Sequence, residues 1–265
     1  MNYAESGGNA NRKLTTQAGT ATINVLAGDG IARYHSLQVA VNRPFRNGFL
    51  LKGAYTLSRA KNVGDDDGAA YPWPQESQFS RNYALAGFDR THTLQMGFVY
   101  EIPFMKTSTS PIAYVVKDWQ VNGIASWLSG RPFTIGGTNN GLQQQGGTQT
   151  IDLIGNAQPG FQDAGPDGRW YDPSVFAQPV GAVWGNTGRN QFRGPSNYNI
   201  DASLFRNIPV GRYRFELRIE SQNVLNHPQW GNPNTSFTDP NFMTIRGFVP
   251  NRAPRTVQIG ARFSF

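Results

Sequence analysis

The stretch Arg255-Thr256-Val257-Gln258-Ile259-Gly260-Ala261-Arg262-Phe263-Ser264-Phe265 alternates along its length. Val257, Ile259, Ala261, Phe263 and Phe265 share one face, and Thr256, Gln258, Gly260, Arg262 and Ser264 share the other. A period of two belongs to an extended strand, whose successive side chains point to opposite sides of a sheet. One face suits an apolar medium and the other suits water. The stretch finishes on an aromatic residue.

The pattern repeats upstream. Tyr213, Phe215, Leu217 and Ile219 alternate with Arg214, Glu216, Arg218 and Glu220. Charges at successive alternate positions are too costly to bury unpaired in a soluble core, so that face must be wet. Tyr198, Ile200, Ala202 and Leu204 oppose Asn199, Asp201 and Ser203. Trp119, Val121, Gly123, Ala125 and Trp127 oppose Gln120, Asn122 and Ser126, with Ile124 and Leu128 as exceptions. Leu94, Met96, Phe98, Tyr100 and Ile102 oppose Thr93, Gln95 and Glu101, with Val99 the exception. Phe49, Leu51, Gly53, Tyr55 and Leu57 oppose Lys52, Thr56 and Ser58, and Leu37, Val39 and Val41 oppose Ser36, Gln38 and Asn42. Most segments are roughly ten residues, the length a tilted strand needs to cross a bilayer.

The connections favour a membrane barrel over a soluble sandwich. Short links at Arg46-Asn47-Gly48 and Pro209-Val210-Gly211-Arg212 alternate with long ones at 59–89, 129–197 and 226–254, and a moderate link runs from Pro103 to Lys117. Outer-membrane barrels have short periplasmic turns and long extracellular loops. Phe45, Phe49, Tyr55, Tyr100, Phe104, Trp119 and Tyr213 lie near strand ends, as interfacial aromatic girdles do. The expected fold is therefore all-β: an antiparallel transmembrane β-barrel segment of about seven or eight strands. Ala21-Thr22-Ile23-Asn24-Val25 is the candidate for an eighth strand, and otherwise residues 1–35 are an extracellular loop or the remnant of a preceding strand.

Composition agrees. A mean hydropathy of −0.48 and an apolar fraction of 38% suit strands that put only alternate residues into lipid. No run approaches the length of an apolar helical span, and the N-terminus lacks the charged and apolar regions of a signal peptide. With no cysteine, disulfides and thiolate chemistry are excluded. The net charge of +7 is spread along the chain rather than gathered into a stripe, so no nucleic-acid partner is expected.

Several ordered segments resemble a known family. Tyr34-His35-Ser36-Leu37-Gln38-Val39, Gly53-Ala54-Tyr55-Thr56-Leu57-Ser58 and Phe88-Asp89-Arg90-Thr91-His92 are followed by Trp119-Gln120-Val121-Asn122-Gly123-Ile124 and Ser129-Gly130-Arg131-Pro132-Phe133. Gly185-Asn186-Thr187-Gly188-Arg189-Asn190, Arg193-Gly194-Pro195, Asn223-Val224-Leu225-Asn226-His227-Pro228 and Gly231-Asn232-Pro233-Asn234 come later. In this order, ending on Phe265, they resemble the C-terminal barrel of Oar-like TonB-dependent receptors, whose N-terminus carries a carboxypeptidase-regulatory-like domain. The resemblance implies that 36–265 are receptor-type barrel strands in the outer membrane of a Gram-negative-type bacterium, forming part of a larger barrel. It also implies uptake of a bulky ligand, with plug domain and TonB complex engaged through an N-terminal part that this stretch lacks. Implied partners are outer-membrane lipid, the barrel-assembly machinery, for which Phe263 and Phe265 look like the terminal signal, and an unknown extracellular ligand. The rivals are a small self-contained barrel or adhesin-like surface protein, and a soluble β-rich binding protein.

Candidate chemistry is sparse. His35, His92 and His227 lie in different segments, which argues against a three-histidine metal site. Asp65-Asp66-Asp67 lacks the spacing of a calcium loop, and Gln162-Asp163-Ala164-Gly165-Pro166-Asp167-Gly168 reads as successive turns. No nucleophile–base motif is present, so neither an enzyme nor a cofactor is expected. Asp201, Arg214, Glu216, Arg218, Glu220 and Arg262 should face the lumen, held in cross-strand ion pairs or touching a plug or substrate. Trp73, Trp170, Tyr171, Trp184 and Trp230 are the candidate ligand contacts in the loops.

Overall fold

The computed structural model describes residue 14 and residues 28–65, 71–73, 75–105, 107–138, 149–249 and 254–265. The candidate strand Ala21–Val25 and the residues Asp66 and Asp67 lie outside the described residues. In chain order the strands are β1 (Ala32–Arg46), β2 (Phe49–Asn62), β3 (Ala84–Leu85), β4 (His92–Glu101), β5 (Trp119–Leu128), β6 (Pro132–Phe133), β7 (Asp152–Leu153), β8 (Phe176–Ala177), β9 (Phe192–Arg193), β10 (Asn197–Val210), β11 (Tyr213–Gln222) and β12 (Thr256–Ser264). One short helix, α1 (Ala113–Val116), lies in the link between β4 and β5.

The long strands form one antiparallel sheet in the order β1-β2-β4-β5-β10-β11-β12, with β3 extending β2. The expected all-β antiparallel class is borne out, with an eight-stranded sheet. Its register keeps the two faces separate from strand to strand. The apolar row runs Val39↔Tyr55↔Leu94↔Trp127↔Tyr198. On the later strands it continues as Leu204↔Ile219↔Ile259. The polar row includes Gln38↔Thr56↔Thr93 and Ser203↔Glu220↔Gln258. A slip by one residue would exchange the faces, so the pattern itself sets the register.

The short links are tight hairpins. Asn47 (φ 54°) and Gly48 (φ 74°) turn the chain so that Arg46 pairs with Phe49. Two successive positive φ values are what the twist of a two-residue hairpin demands, and Asn-Gly meets them with little strain. The second hairpin is narrower than the expected Pro209–Arg212 turn: Pro209 and Val210 remain in β10, paired with Arg214 and Tyr213, and only Gly211 (φ 61°) and Arg212 turn.

Except for Ala60 near the end of β2, the apolar side chains on the sheet are not fully buried. Leu37, Val41, Val257 and Phe263 are all more than half exposed, and Ile259 is 72% exposed. The main apolar core lies instead in the long links. Phe133, Ile135, Ile151, Tyr171, Phe176, Phe192, Phe242 and Met243 form one buried cluster, drawn from the β5–β10 and β11–β12 connections. Fully burying one such side chain contributes about 1.5–3 kcal/mol. The links therefore fold into a cap with a core of its own.

Candidate functional site

The sheet bends toward its polar face. A trough of about 580 Å³ runs along that face from β2 to β12, lined by Lys52, Asn122, Asp201, Ser203, Glu220 and Gln258 among others. Leu50, Gly97, Val99 and Ile124 sit within it, joined by the pairs Leu50↔Val99 and Gly97↔Ile124. The sequence exceptions Val99 and Ile124 thus gather as an apolar island on an otherwise wet wall.

The six charged residues expected on this face do share it, but they do not pair across strands. Arg218 binds Glu216 on its own strand and lies 3.8 Å from Glu220. Its guanidinium also lies 5.0 Å from the centre of the Phe205 ring. Arg262 stands opposite Glu216 in the register without forming an ion pair. Asp201 accepts hydrogen bonds from the Asn199 side chain (2.8 Å) and the Asn223 amide (2.7 Å), and Arg214 is exposed. The expected cross-strand ion pairing is corrected: side chains two apart on β11 already satisfy Arg218, because they lie on the same face and need no partner strand.

Two aromatic rows border the apolar face. At the short-turn end, Phe49 meets Tyr100 edge-on at 6.1 Å, and Tyr213 meets Phe263 at 5.5 Å. At the long-link end, the Tyr55 hydroxyl lies 2.8 Å from His92 Nδ1, His92 stacks on Trp127 at 5.7 Å, and His227 stacks on Tyr198 at 3.7 Å. Tyr55 belongs to this second row, whose other members the girdle reading of the sequence did not include. Trp119 and Trp127 mark both rows on β5, about 26 Å apart at ~3.3 Å per residue. The usual tilt shortens that to about 20 Å along the membrane normal, so the two rows stand at or just inside the edges of the ~25 Å apolar band of an outer-membrane barrel.

The cap is locked over the far end of the sheet by buried Arg189 and half-buried Arg193 and Arg81. Arg189, 6% exposed, donates to Asp65 (2.9 Å), to the Asn62 side chain (2.6 Å) and to the Asn82 carbonyl (3.2 Å). Burial pushes the Asp65 carboxyl up, but donors from Gly87, Asn62, Arg189 and Asn190 outweigh it and hold the pKa below the ordinary value. Asp65 is thereby committed to the lock rather than to a metal. Arg193 reaches the fully buried Asp89 at 2.5 Å, and Asp89 also accepts from the Ala60 amide. Arg81 donates to the Gly185 carbonyl (2.7 Å) and lies 4.4 Å from the centre of the Trp73 ring. A Cβ on Gly130 would fall 1.8 Å from the Gly194 carbonyl oxygen, so the Ser-Gly-Arg and Arg-Gly-Pro segments meet this closely only because Gly130 has no side chain. The segments singled out in the sequence are largely these staples.

The loop aromatics need correction. Trp73 and Tyr171 are 0% and 3% exposed, so they are cap core and not ligand contacts. Trp170 packs against that core and donates to the Arg193 carbonyl at 2.8 Å, and Trp184 is half-buried. Trp230 stacks on Phe248 at 4.8 Å. A loop residue is often an anchor when several loops fold together, and here burial decides it. The turn reading at Gln162–Gly168 is consistent with the backbone: the Gln162 amide donates to the Arg169 carbonyl and closes the loop. Among the described residues no three His, Asp or Glu side chains converge as metal ligands.

A family model described as an outer membrane beta barrel domain matches residues 1–258. The chain belongs to that family. Its place is the outer membrane of a Gram-negative-type bacterium. No curated protein and no solved structure matches the chain significantly. In outer-membrane barrels in general the apolar face of the wall meets lipid, the polar face meets the lumen, and the long loops stand on the extracellular side.

Proposed function

We propose that the domain is wall and cap of a TonB-dependent receptor barrel that admits a bulky ligand, without catalysis. The supporting observation is the mixed lumen face. An open water channel is best lined by polar groups throughout, whereas Leu50, Val99 and Ile124 among Lys52, Asp201 and Glu220 suit a protein plug or large ligand lying against the wall. The locked cap gives the extracellular loops a fixed shape for ligand capture, and half-buried Trp230 stacked on exposed Phe248 is an aromatic pair placed to take part. The plug, the energy-coupling complex and the ligand are partners in this reading.

A photo-crosslinking residue at Ile124, in the complete gene product in its native membrane, tests it. The expected result is an intramolecular crosslink to a plug segment that weakens when the TonB complex is deleted. No crosslink, with function independent of the complex, would favour a self-contained barrel or adhesin. Phe263 and Phe265 end the last strand with their rings exposed, 6.3 Å apart. They are proposed as the contact with the assembly machinery. Deleting Phe265 should lower insertion into the outer membrane while synthesis continues, as read by surface protease accessibility.

A further inference from the structure

Just outside the lipid-facing apolar band, β1 and β2 place four basic side chains together. The outermost apolar pair on these strands is Leu37↔Leu57. The next pair on the same face is His35↔Arg59, and the one after is Arg33↔Lys61. At ~3.3 Å per residue these two pairs lie roughly 7 and 13 Å beyond the band. Arg33, His35 and Arg59 are exposed. Lys61 is half-buried, with its ammonium 5.4 Å from the centre of the Tyr83 ring.

No carboxylate neutralises this group among the described residues. Asp65 is bound to Arg189, and Asp29 accepts from the Tyr71 hydroxyl. Like charges directly opposite one another destabilise a strand pair, so Arg33↔Lys61 favours a bound anion. The position limits which anion. The group faces away from the lumen, stands on the extracellular side and follows the last apolar pair, which is where lipid headgroups begin. Phosphate matches the chemistry: arginine forms paired hydrogen bonds with it, and lysine acts as a point charge beside it.

We propose that Arg33, His35, Arg59 and Lys61 form a binding site for the phosphate-bearing headgroup of an outer-leaflet lipid. The acyl chains of that lipid lie along Leu37, Val39 and Leu57, while the headgroup phosphate is held between β1 and β2. The site ties the barrel wall to the leaflet on the side away from the lumen, and is independent of the transport reading.

The test uses the intact domain in nanodiscs of zwitterionic phospholipid, doped with either a bisphosphorylated glycolipid or the same glycolipid dephosphorylated. Native mass spectrometry counts the retained glycolipid. The phosphorylated form should be retained about tenfold better or more, since each surface cation near an anionic headgroup contributes appreciably. The triple variant Arg33→Gln/Arg59→Gln/Lys61→Gln should lose that preference. Arg43→Gln/Arg46→Gln, at the opposite end of the same strands, should keep it. Equal retention of the two lipids by the unaltered domain would overturn the proposal without reference to any variant. So would an unchanged preference in a triple variant that keeps the heat-modifiable mobility of a folded barrel. Displacement of the lipid by millimolar inorganic phosphate would reassign the site to free phosphate and overturn its lipid occupant.

Discussion

The sheet and the cap obey opposite rules for the same kinds of residue. On the sheet Ile259 and Phe263 are exposed and Asp201 and Glu220 line a trough, whereas in the cap Phe176 and Ile151 are buried and Arg189 is sealed among carbonyls. The sheet takes its outside solvent from lipid, so its apolar side chains need no protein partner, and backbone pairing holds the wall together. The cap stands in water and has to build a core and satisfy most of the polar groups it buries. The same chain therefore contains one region stabilised by its surroundings and one stabilised by its own packing.

That contrast can be broken at the cap first. Arg189→Ala leaves Asp65 without its cationic partner and the Asn62 and Asn82 carbonyls without this donor, and loss of one partner of a buried pair costs about 3–5 kcal/mol. Limited proteolysis should open the loops while the heat-modifiable mobility of the barrel persists. Ile259→Arg places a charge in lipid and should destabilise the wall by about 2–4 kcal/mol near mid-bilayer, whereas Gln258→Arg, one residue away on the lumen face, should cost far less. Urea unfolding in lipid vesicles measures both, and equal losses would contradict the face assignment. Gly130→Ala should loosen the cap by about 1–3 kcal/mol, read by hydrogen exchange at the Gly194 amide, which bonds the Arg131 carbonyl.

The smallest effect is one of pH. The folded-state pKa of Asp65 is depressed, so its contribution is complete above the unfolded value near 3.8 and disappears as pH falls through the folded value. Cap protease resistance should be flat in this respect at neutral pH and fall in strong acid. Asp65→Asn should remove that acid limb. The sheet should show no matching change from this group.

Strand positions and faces were legible in the sequence because period-two alternation is local: Val257 to Phe265 declare their face without reference to any other strand. The expected hairpin at Asn47-Gly48 was legible for the same reason. The cap core was not. Phe133, Tyr171, Phe192 and Phe242 are separated by tens of residues of irregular chain, and no periodic signal marks which loop aromatics will meet. The pattern of loop aromatics alone therefore points to Trp73 and Tyr171 as contacts, and only their burial places them in the cap. The resembling segments were visible as a pattern, but their work as staples is a matter of geometry: Arg189 and Asp65 are 124 positions apart.

By itself, then, the sequence determined an antiparallel sheet with one lipid-compatible face, its approximate strands, and the alternation of short and long connections. Side-chain direction along a strand depends only on neighbouring residues. Tertiary structure alone decided that the long loops share one core, that Arg218 pairs along its strand, and that Arg33, His35, Arg59 and Lys61 stand together. Each of these depends on strand register or on the closure of long loops, and so on contacts between residues far apart in the chain.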